Sequence, residues 1–252
     1  MKTVLFDLDG TLLPMDQEVF VKRYLQELGA KGAQLGYGAQ ELVQLVLKSF
    51  EIMVANDGTM TNEERFWELF LATYGGERKK HTEVFEKFYH NEFARVAAGT
   101  SPTPLANQAI QVLKEKGYQL ILATNPVFPR VATLERMRWA GLDPEDFSLI
   151  TTYENSSFAK PNLDYYREIL TKIEAKPGEC LMVGNDVQED ISVAQLGMNV
   201  FLVTDDLINS TGEDYSQLPQ GNRQDMLYYL EQLPTRGWQH AQIDRPESSA
   251  TR

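Results

Sequence analysis

The chain has 252 residues and carries 24 Lys and Arg against 36 Asp and Glu, which gives a formal net charge of −12. This acidic balance excludes a surface for nucleic acid or anionic membranes, because both require clustered positive charge. Hydrophobic residues make up 42% of the sequence, enough to build a folded core. The single cysteine, Cys180, excludes an internal disulfide framework.

The sequence shows no signal for export or membrane insertion. No apolar run reaches the roughly 18 residues that a membrane-spanning helix requires. The apolar start of the chain is interrupted at Asp7, too early for a secretory signal peptide. We therefore expect a soluble cytoplasmic protein.

The first hundred residues change from one pattern to another. Residues 2–9 predict a buried strand, because a short apolar run ends at Gly10 and Thr11. From residue 16 to residue 98 the apolar spacing is helical, which predicts a small helical bundle. The predicted helices cover residues 16–28, 39–54, 61 onward with a capping box formed by Thr61 and Glu64, and 83–96. A turn rich in glycine is expected between the first two, containing Gly29, Gly32, Gly36 and Gly38.

After Thr100 strands and helices alternate, which is typical of a mostly parallel sheet covered on both faces. The predicted strands cover residues 118–123, 147–152, 180–183 and 200–203. The predicted helices cover residues 105–116, 129–140, 162–173, 189–196 and 223–233, with Pro161 near the start of the third.

The fold class predicted from these patterns is α/β, a Rossmann-like, mostly parallel sheet core with an inserted α-helical bundle cap. The core takes residues 1–14 and 99–234, and the cap takes residues 15–98. Residues 235–252 form a polar C-terminal tail. Hinges between cap and core are expected near residues 13–16 and 97–102.

Polar side chains follow several strands at the carboxyl edge of the predicted sheet, where α/β proteins bind ligands. They are Asp7, Asp9, Thr124, Asn125, Asp186 and Asp190, with Lys160 in a nearby loop. Four carboxylates at close range repel one another, and a divalent cation would offset this repulsion. Oxygen ligands favour Mg²⁺, so we expect Asp7 and Asp186 to bind a magnesium ion.

The other groups of this cluster suit a phosphoryl group. The Thr124 hydroxyl and the Asn125 amide could bind its oxygens, and Lys160 could neutralise its charge. Asp7 and Asp9 are two residues apart on an extended segment and are expected to point the same way. One of them could then attack while the other transfers protons.

Four segments, in this order, resemble the motifs of the haloacid dehalogenase-like hydrolase superfamily. They are Phe6-Asp7-Leu8-Asp9-Gly10-Thr11, Thr124-Asn125, Lys160-Pro161 and Gly184-Asn185-Asp186-Val187-Gln188-Glu189-Asp190. The helical insert directly after the first segment resembles the cap of subclass I of that superfamily. One departure is Asn185, where the family often has an acid.

The resemblance implies a role for each matched residue. Asp7 would be the nucleophile that forms an aspartyl-phosphate. Asp9 would be the general acid toward the leaving oxygen and then the base for the hydrolytic water. The backbone carbonyl of Asp9 would bind Mg²⁺ together with Asp7 and Asp186.

The remaining matched residues would bind the substrate or support the site. Thr124 and the backbone of Asn125 would hold phosphoryl oxygens, and Lys160 would screen the charge between nucleophile and substrate. Asp190 would orient Lys160 or a metal-bound water, with Asn185 beside the metal ligand.

These residues predict a Mg²⁺-dependent phosphatase that acts on a small phosphorylated metabolite. A sugar-phosphate mutase of the same fold shares Asp7 and Asp9 and stays open as an alternative. So does a non-catalytic phospho-accepting or regulatory module, although its phosphorylated Asp usually ends a middle strand. A dehalogenase is disfavoured, because such enzymes resemble this pattern but lack the acid at the position of Asp9.

Overall fold

The structure is a computed structural model that describes residues 1–236. Apart from its first two residues, the predicted tail at 235–252 lies outside this range. The strands are β1 (Thr3–Phe6), β2 (Gln119–Leu122), β3 (Leu149–Ile150), β4 (Cys180–Gly184), β5 (Asn199–Val203) and β6 (Gln220–Gly221). They form one six-stranded sheet in the order β3-β2-β1-β4-β5-β6, and every neighbouring pair is parallel.

The helices are α1 (Gln17–Gln34), α2 (Ala39–Val54), α3 (Asn62–Tyr74), α4 (Arg78–Asn91), α5 (Pro104–Glu115), α6 (Arg130–Trp139), α7 (Leu163–Lys172) and α8 (Arg223–Gln232). Helices α1 to α4 follow β1 and precede α5, and we call them the cap. The predicted α/β fold with a helical cap is therefore confirmed. No helix within residues 1–236 is long and apolar enough to cross a membrane.

The sheet is buried on both faces, as parallel sheets require. Val4 and Phe6 of β1 face a core shared with α5, α6, α8 and the cap. Leu5, between them, faces the other core, which α7 and the 3₁₀ helix Ile191–Leu196 cover. This alternation explains why β1 appears in the sequence as a continuous apolar run.

The expected glycine-rich turn after the first helix is only partly correct. Helix α1 continues to Gln34 and includes Gly29 and Gly32. A Cβ atom at Gly32 would overlap Leu42 of α2, and one at Gly29 would lie 3.2 Å from Val43. These two glycines let α1 and α2 approach closely, so they serve helix packing rather than chain reversal.

Other predicted elements differ from the structure in their bounds or in their type. Helix α4 begins at Arg78, before residue 83, and is followed by a 3₁₀ helix at Phe93–Gly99. Helix α7 begins at Leu163, because the side chain of Asn162 caps it by accepting from the backbone of Asp164. The segment predicted as a helix at 189–196 is a 3₁₀ helix that starts after Asp190.

The two passages between cap and core lie side by side. Met15 pairs with Thr100 in an antiparallel bridge. The backbone amide of Ser101 donates to the carbonyl of Pro14 at 2.8 Å. Both contacts fall within the segments predicted as hinges, whose movement stays a prediction.

Candidate active site

The structure brings the sequence-predicted site residues together at the carboxyl edge of the sheet. A cavity of about 280 Å³ lies between this edge and the first two cap helices. Seven of the predicted residues line it: Asp7, Asp9, Thr124, Asn125, Asn185, Asp186 and Asp190. The eighth, Lys160, lies directly behind the cavity wall and contacts two of them.

Lys160 joins the first and last of the predicted segments. Its Nζ atom donates to Asp7 Oδ1 at 2.8 Å and to Asp190 Oδ1 at 2.6 Å, and its side chain is 1% exposed. Burial opposes the charged form, but attraction by Asp190 and Asp7 raises the pKa of Lys160 well above its usual range. Burial raises the pKa of Asp190 as well, against the opposing attraction of Lys160, and the nearby charge of Asp7 adds to the rise.

Asp190 is fixed by the backbone that follows β4. Its Oδ2 atom accepts from the amides of Asn185 at 3.0 Å and Asp186 at 3.1 Å. Gly184 makes this contact possible, since a Cβ atom there would occupy the position of the Asp190 carboxylate. The backbone thus presents Asp190 Oδ1 to Lys160, which is one of the two roles that the resemblance implies.

Asp9 has a partner that the sequence did not suggest. Its Oδ2 accepts a hydrogen bond from Arg136 of α6, whose side chain is buried and also lies over the ring of Phe128, 4.6 Å from its centroid. The other oxygen, Oδ1, is buried and receives no hydrogen bond from the described residues. Burial raises the pKa of Asp9 to about 6, against the opposing attraction of Arg136. A share of Asp9 is therefore protonated near neutral pH, as a general acid requires.

Asn185 links two loops rather than completing a cluster of acids. Its Oδ1 accepts from the hydroxyl of Thr11 at 3.0 Å, and its Nδ2 donates to the carbonyl of Asp206 at 2.6 Å. The Thr11 hydroxyl also lies 3.3 Å from Asp7 Oδ2. A side-chain amide can donate and accept at once, and Asn185 does both: it accepts from Thr11 and donates to Asp206.

Hydrogen bonds to neighbouring core residues fix the positions of Thr124 and Asn125. The carbonyl of Thr124 accepts from the hydroxyls of Thr151 at 2.8 Å and Tyr165 at 2.9 Å, while its own side chain lines the cavity. Asn125 Nδ2 donates to both carboxylate oxygens of Glu189, at 3.1 and 3.2 Å. Burial raises the pKa of Glu189 to about 7.

The donor set fits a magnesium ion. Burial raises the pKa of Asp186, against hydrogen bonds from the backbone amides of Glu189 and Gln188 that favour the carboxylate. Asp186 Oδ1 accepts from the amides of Gln188 at 2.8 Å and Glu189 at 2.9 Å, and its Oδ2 has no donor within the described range. The Asp9 carbonyl likewise receives no hydrogen bond from residues 1–236.

The oxygens that could bind the metal ion belong to two carboxylates, Asp7 and Asp186, and to the backbone carbonyl of Asp9. The described residues contain no group of three or more His, Cys, Asp or Glu side chains that could hold a metal ion by themselves. Oxygen donors with room for water and phosphate are what Mg²⁺ prefers. The predicted ligands Asp7, Asp9 and Asp186 therefore remain compatible with this ion.

A larger cavity of about 720 Å³ opens between α4 and α6. Its lining includes Trp67, Phe85 and Leu134, and it contains none of the sequence-predicted site residues. By size alone this cavity would be the candidate active site. The smaller cavity is the better candidate, because acids, Thr124 and Lys160 converge there.

Three residues of the smaller site were missed by the sequence reasoning. Glu189 lies inside the last quoted segment, and its spacing from Asp186 was the available signal. Thr11 lies inside the first segment and could have been found in the same way. Arg136 had no signal, because only the packing of α6 shows that it reaches Asp9.

Comparison with known proteins agrees with this geometry. A sequence model of the haloacid dehalogenase-like hydrolases matches residues 1–197. A glyceraldehyde 3-phosphate phosphatase of Methanothermobacter thermautotrophicus is 28% identical over 210 residues, which cover 82% of this chain and 87% of that protein. Pyrophosphatase PpaX of Halalkalibacterium halodurans is 25% identical over 217 residues, covering 85% and 87%.

Among solved structures, a HAD phosphatase from Thermococcus onnurineus superposes with a TM-score of 0.53 at 21% identity. The match covers 91% of this chain and 96% of that one. This similarity supports the fold alone, whereas the sequence match spans most of the chain. The chain belongs to the haloacid dehalogenase-like hydrolase family.

Proposed function

We propose that the protein is a Mg²⁺-dependent phosphatase that hydrolyses a small phosphorylated metabolite through an aspartyl-phosphate on Asp7. The observation that carries this proposal is the contact of Lys160 with both Asp7 and Asp190, which joins three segments far apart in sequence. The Lys160 ammonium would hold the Asp7 carboxylate in place and offset the negative charge of an approaching phosphoryl group.

The residues support a two-step reaction. An oxygen of Asp7 attacks phosphorus, the bond to the leaving oxygen breaks, and Asp9 gives its proton to that oxygen. Asp9 then takes a proton from the water that attacks the aspartyl-phosphate, which releases phosphate and restores Asp7. Thr124 and the backbone of Asn125 would bind the phosphoryl oxygens during both steps.

The bound metal would supply a positive charge that stabilises the phosphoryl oxygens. Asp7, the Asp9 carbonyl and Asp186 are the residues that would hold it. Asn185 and the backbone amides of Gln188 and Glu189 would fix the loop that carries Asp186.

Hydrolysis of p-nitrophenyl phosphate tests the proposal. We expect activity with Mg²⁺, its loss after chelation, and a fall of roughly 10³-fold or more in Asp7→Asn. Asp214→Asn removes an exposed carboxyl away from the site and should leave the rate unchanged. Equal rates for the unaltered enzyme and Asp7→Asn would overturn the nucleophile assignment.

The same preparation distinguishes the mutase alternative. With a sugar monophosphate, a phosphatase releases inorganic phosphate, whereas a mutase converts the substrate into an isomer without net release. An inactive protein that accepts phosphate on Asp7 once and holds it would instead be the regulatory module.

A further inference from the structure

Charge is distributed unevenly around the active-site cavity. Five carboxyl side chains line it, and none of the lining residues in the described part of the chain is Lys or Arg. The carboxyl side chains belong to Asp7, Asp9, Asp186, Glu189 and Asp190. The cavity therefore provides no side-chain cation for a negatively charged group that extends beyond the transferred phosphoryl.

The nearest buried cations are already paired. Lys160 contacts Asp7 at 2.8 Å and Asp190 at 2.6 Å. Arg136 is paired with Asp9 and lies against Phe128. Recruiting either of them to a second anionic group on the substrate would break a buried ion pair, which is strongly unfavourable.

The cap side of the cavity is mainly apolar. Phe20 and Val21 come from α1, and Phe50 and Val54 come from α2. Val21 is 40% exposed and Val54 is 38% exposed, so both side chains are accessible at the cavity. The leaving group of a bound phosphate ester would lie on this side, because the phosphoryl-binding residues occupy the core side.

Two polar atoms at the cavity are fully buried acceptors that receive no hydrogen bond from residues 1–236. They are Asp9 Oδ1 and Asn125 Oδ1. An anionic leaving group brings only further acceptors and a charge that must be desolvated. An uncharged alcohol brings apolar carbon for the valine and phenylalanine side chains, and any additional hydroxyl can donate to an acceptor.

We infer that this enzyme selects phosphate monoesters whose leaving group is a small uncharged alcohol, and that it discriminates against esters or anhydrides with an anionic leaving group. The inference rests on the proposed function and specifies its substrate class. It separates this chain from a pyrophosphatase, whose leaving group is itself a phosphate. The cavity volume of about 280 Å³ restricts the alcohol to a small one.

A panel of four substrates tests the inference. Propyl phosphate and glycerol 3-phosphate have uncharged leaving groups, whereas 2-phosphoglycolate and pyrophosphate have anionic ones. We expect kcat/KM for the first two to exceed that for the last two by roughly 100-fold or more, because an unpaired charge is costly to bury. Equal values, or a preference for either anionic compound, would overturn the inference.

A charge introduced into the cavity provides a second test. Val21→Lys adds a cation at the apolar wall and should raise kcat/KM for 2-phosphoglycolate relative to propyl phosphate by about 10-fold. Val19→Lys is the matched control, because Val19 lies on the same helix, is 37% exposed and does not line the cavity. The same ratio in both variants would contradict a role for cavity charge in selection.

Failure of the proposed function gives a different result. If the unaltered enzyme hydrolyses neither p-nitrophenyl phosphate nor any compound of the panel, the phosphatase assignment is wrong and the substrate class falls with it. Hydrolysis of p-nitrophenyl phosphate together with a preference for pyrophosphate overturns the substrate class alone.

Discussion

The side-chain amide of Asn62, the first residue of α3, donates to the carbonyl of Pro126 at 3.0 Å and to that of Phe158 at 3.2 Å. Pro126 directly follows Asn125, and Phe158 comes two residues before Lys160. The Oδ1 atom of Asn62 accepts from Asn56 at 2.8 Å, so both ends of the amide are used. One buried cap side chain therefore connects the two core loops that carry Asn125 and Lys160, the residues proposed to bind the phosphoryl group.

Replacing this residue should affect both stability and catalysis. Asn62→Ala leaves two carbonyls and the Asn56 amide without their partner, which should lower the free energy of unfolding by about 1–3 kcal/mol. We also expect a lower kcat/KM for p-nitrophenyl phosphate, because the loops lose a shared anchor. Urea unfolding and steady-state kinetics measure the two effects.

Asn91→Ala is the matched control for this prediction. Asn91 is exposed, and within residues 1–236 its amide donates only to the carbonyl of Lys87, one turn earlier in the same helix. Its removal should change stability little and activity not at all. If both variants behave alike, the Asn62 contacts do not position the site.

Asn185 stands where the family often has an acid, and its hydrogen bonds predict how an acid at this position would change stability. In Asn185→Asp a carboxylate oxygen would face the Asp206 carbonyl in place of the donor now 2.6 Å away. Two acceptors at this distance repel, so the free energy of unfolding should fall by about 1–3 kcal/mol even though Thr11 can still donate.

Unfolding in urea with a chelator present measures this effect without a contribution from bound metal. Asn209→Asp is the control, because the Asn209 amide makes a similar bond to the Glu213 carbonyl but is exposed to solvent. An unchanged stability in Asn185→Asp would show that the bond to Asp206 is not needed.

Much of the site could be predicted because its residues follow strands of one parallel sheet. Asp7 ends the first strand and Asp186 follows the fourth, and adjacent parallel strands bring such ends together. Lys160 was placed correctly in the same cluster although no strand ends beside it. Arg136 could not be predicted, since helical spacing alone marks its face of α6 as core without showing which residue its head group meets.

The errors in the fold have equally local causes. The end of α1 was placed early because glycine usually interrupts helices, and only the proximity of α2 shows why Gly29 and Gly32 are retained there. The short strand β6 escaped detection because two residues, Gln220 and Gly221, carry no period-2 pattern. Domain boundaries at residues 14–15 and 98–99 stay predictions.

Cys180 offers a test of packing in β4. Burial, and then the nearby charge of Glu179, raises the pKa of its thiol to about 11. At pH 8 roughly one thiol in a thousand is then ionised. As long as the pH stays below the pKa, each increase of one pH unit raises the ionised fraction about tenfold. We expect almost no reaction with a disulfide reagent in the native protein and complete reaction in urea. Rapid labelling of the native protein at pH 8 would contradict this burial.

The contact of α1 with α2 gives the last prediction, in which two effects oppose each other. Gly32→Ala should gain about 1 kcal/mol of helix propensity. The new methyl group would overlap Leu42, however, and overpacking costs about 1–3 kcal/mol. We therefore expect the stability either to fall or to stay unchanged.

Ala30→Gly at an exposed position of α1 measures the propensity difference by itself. In a Leu42→Ala background the overlap is removed, so Gly32→Ala should become stabilising there. If it destabilises equally in both backgrounds, close packing against Leu42 is not the reason for the glycine.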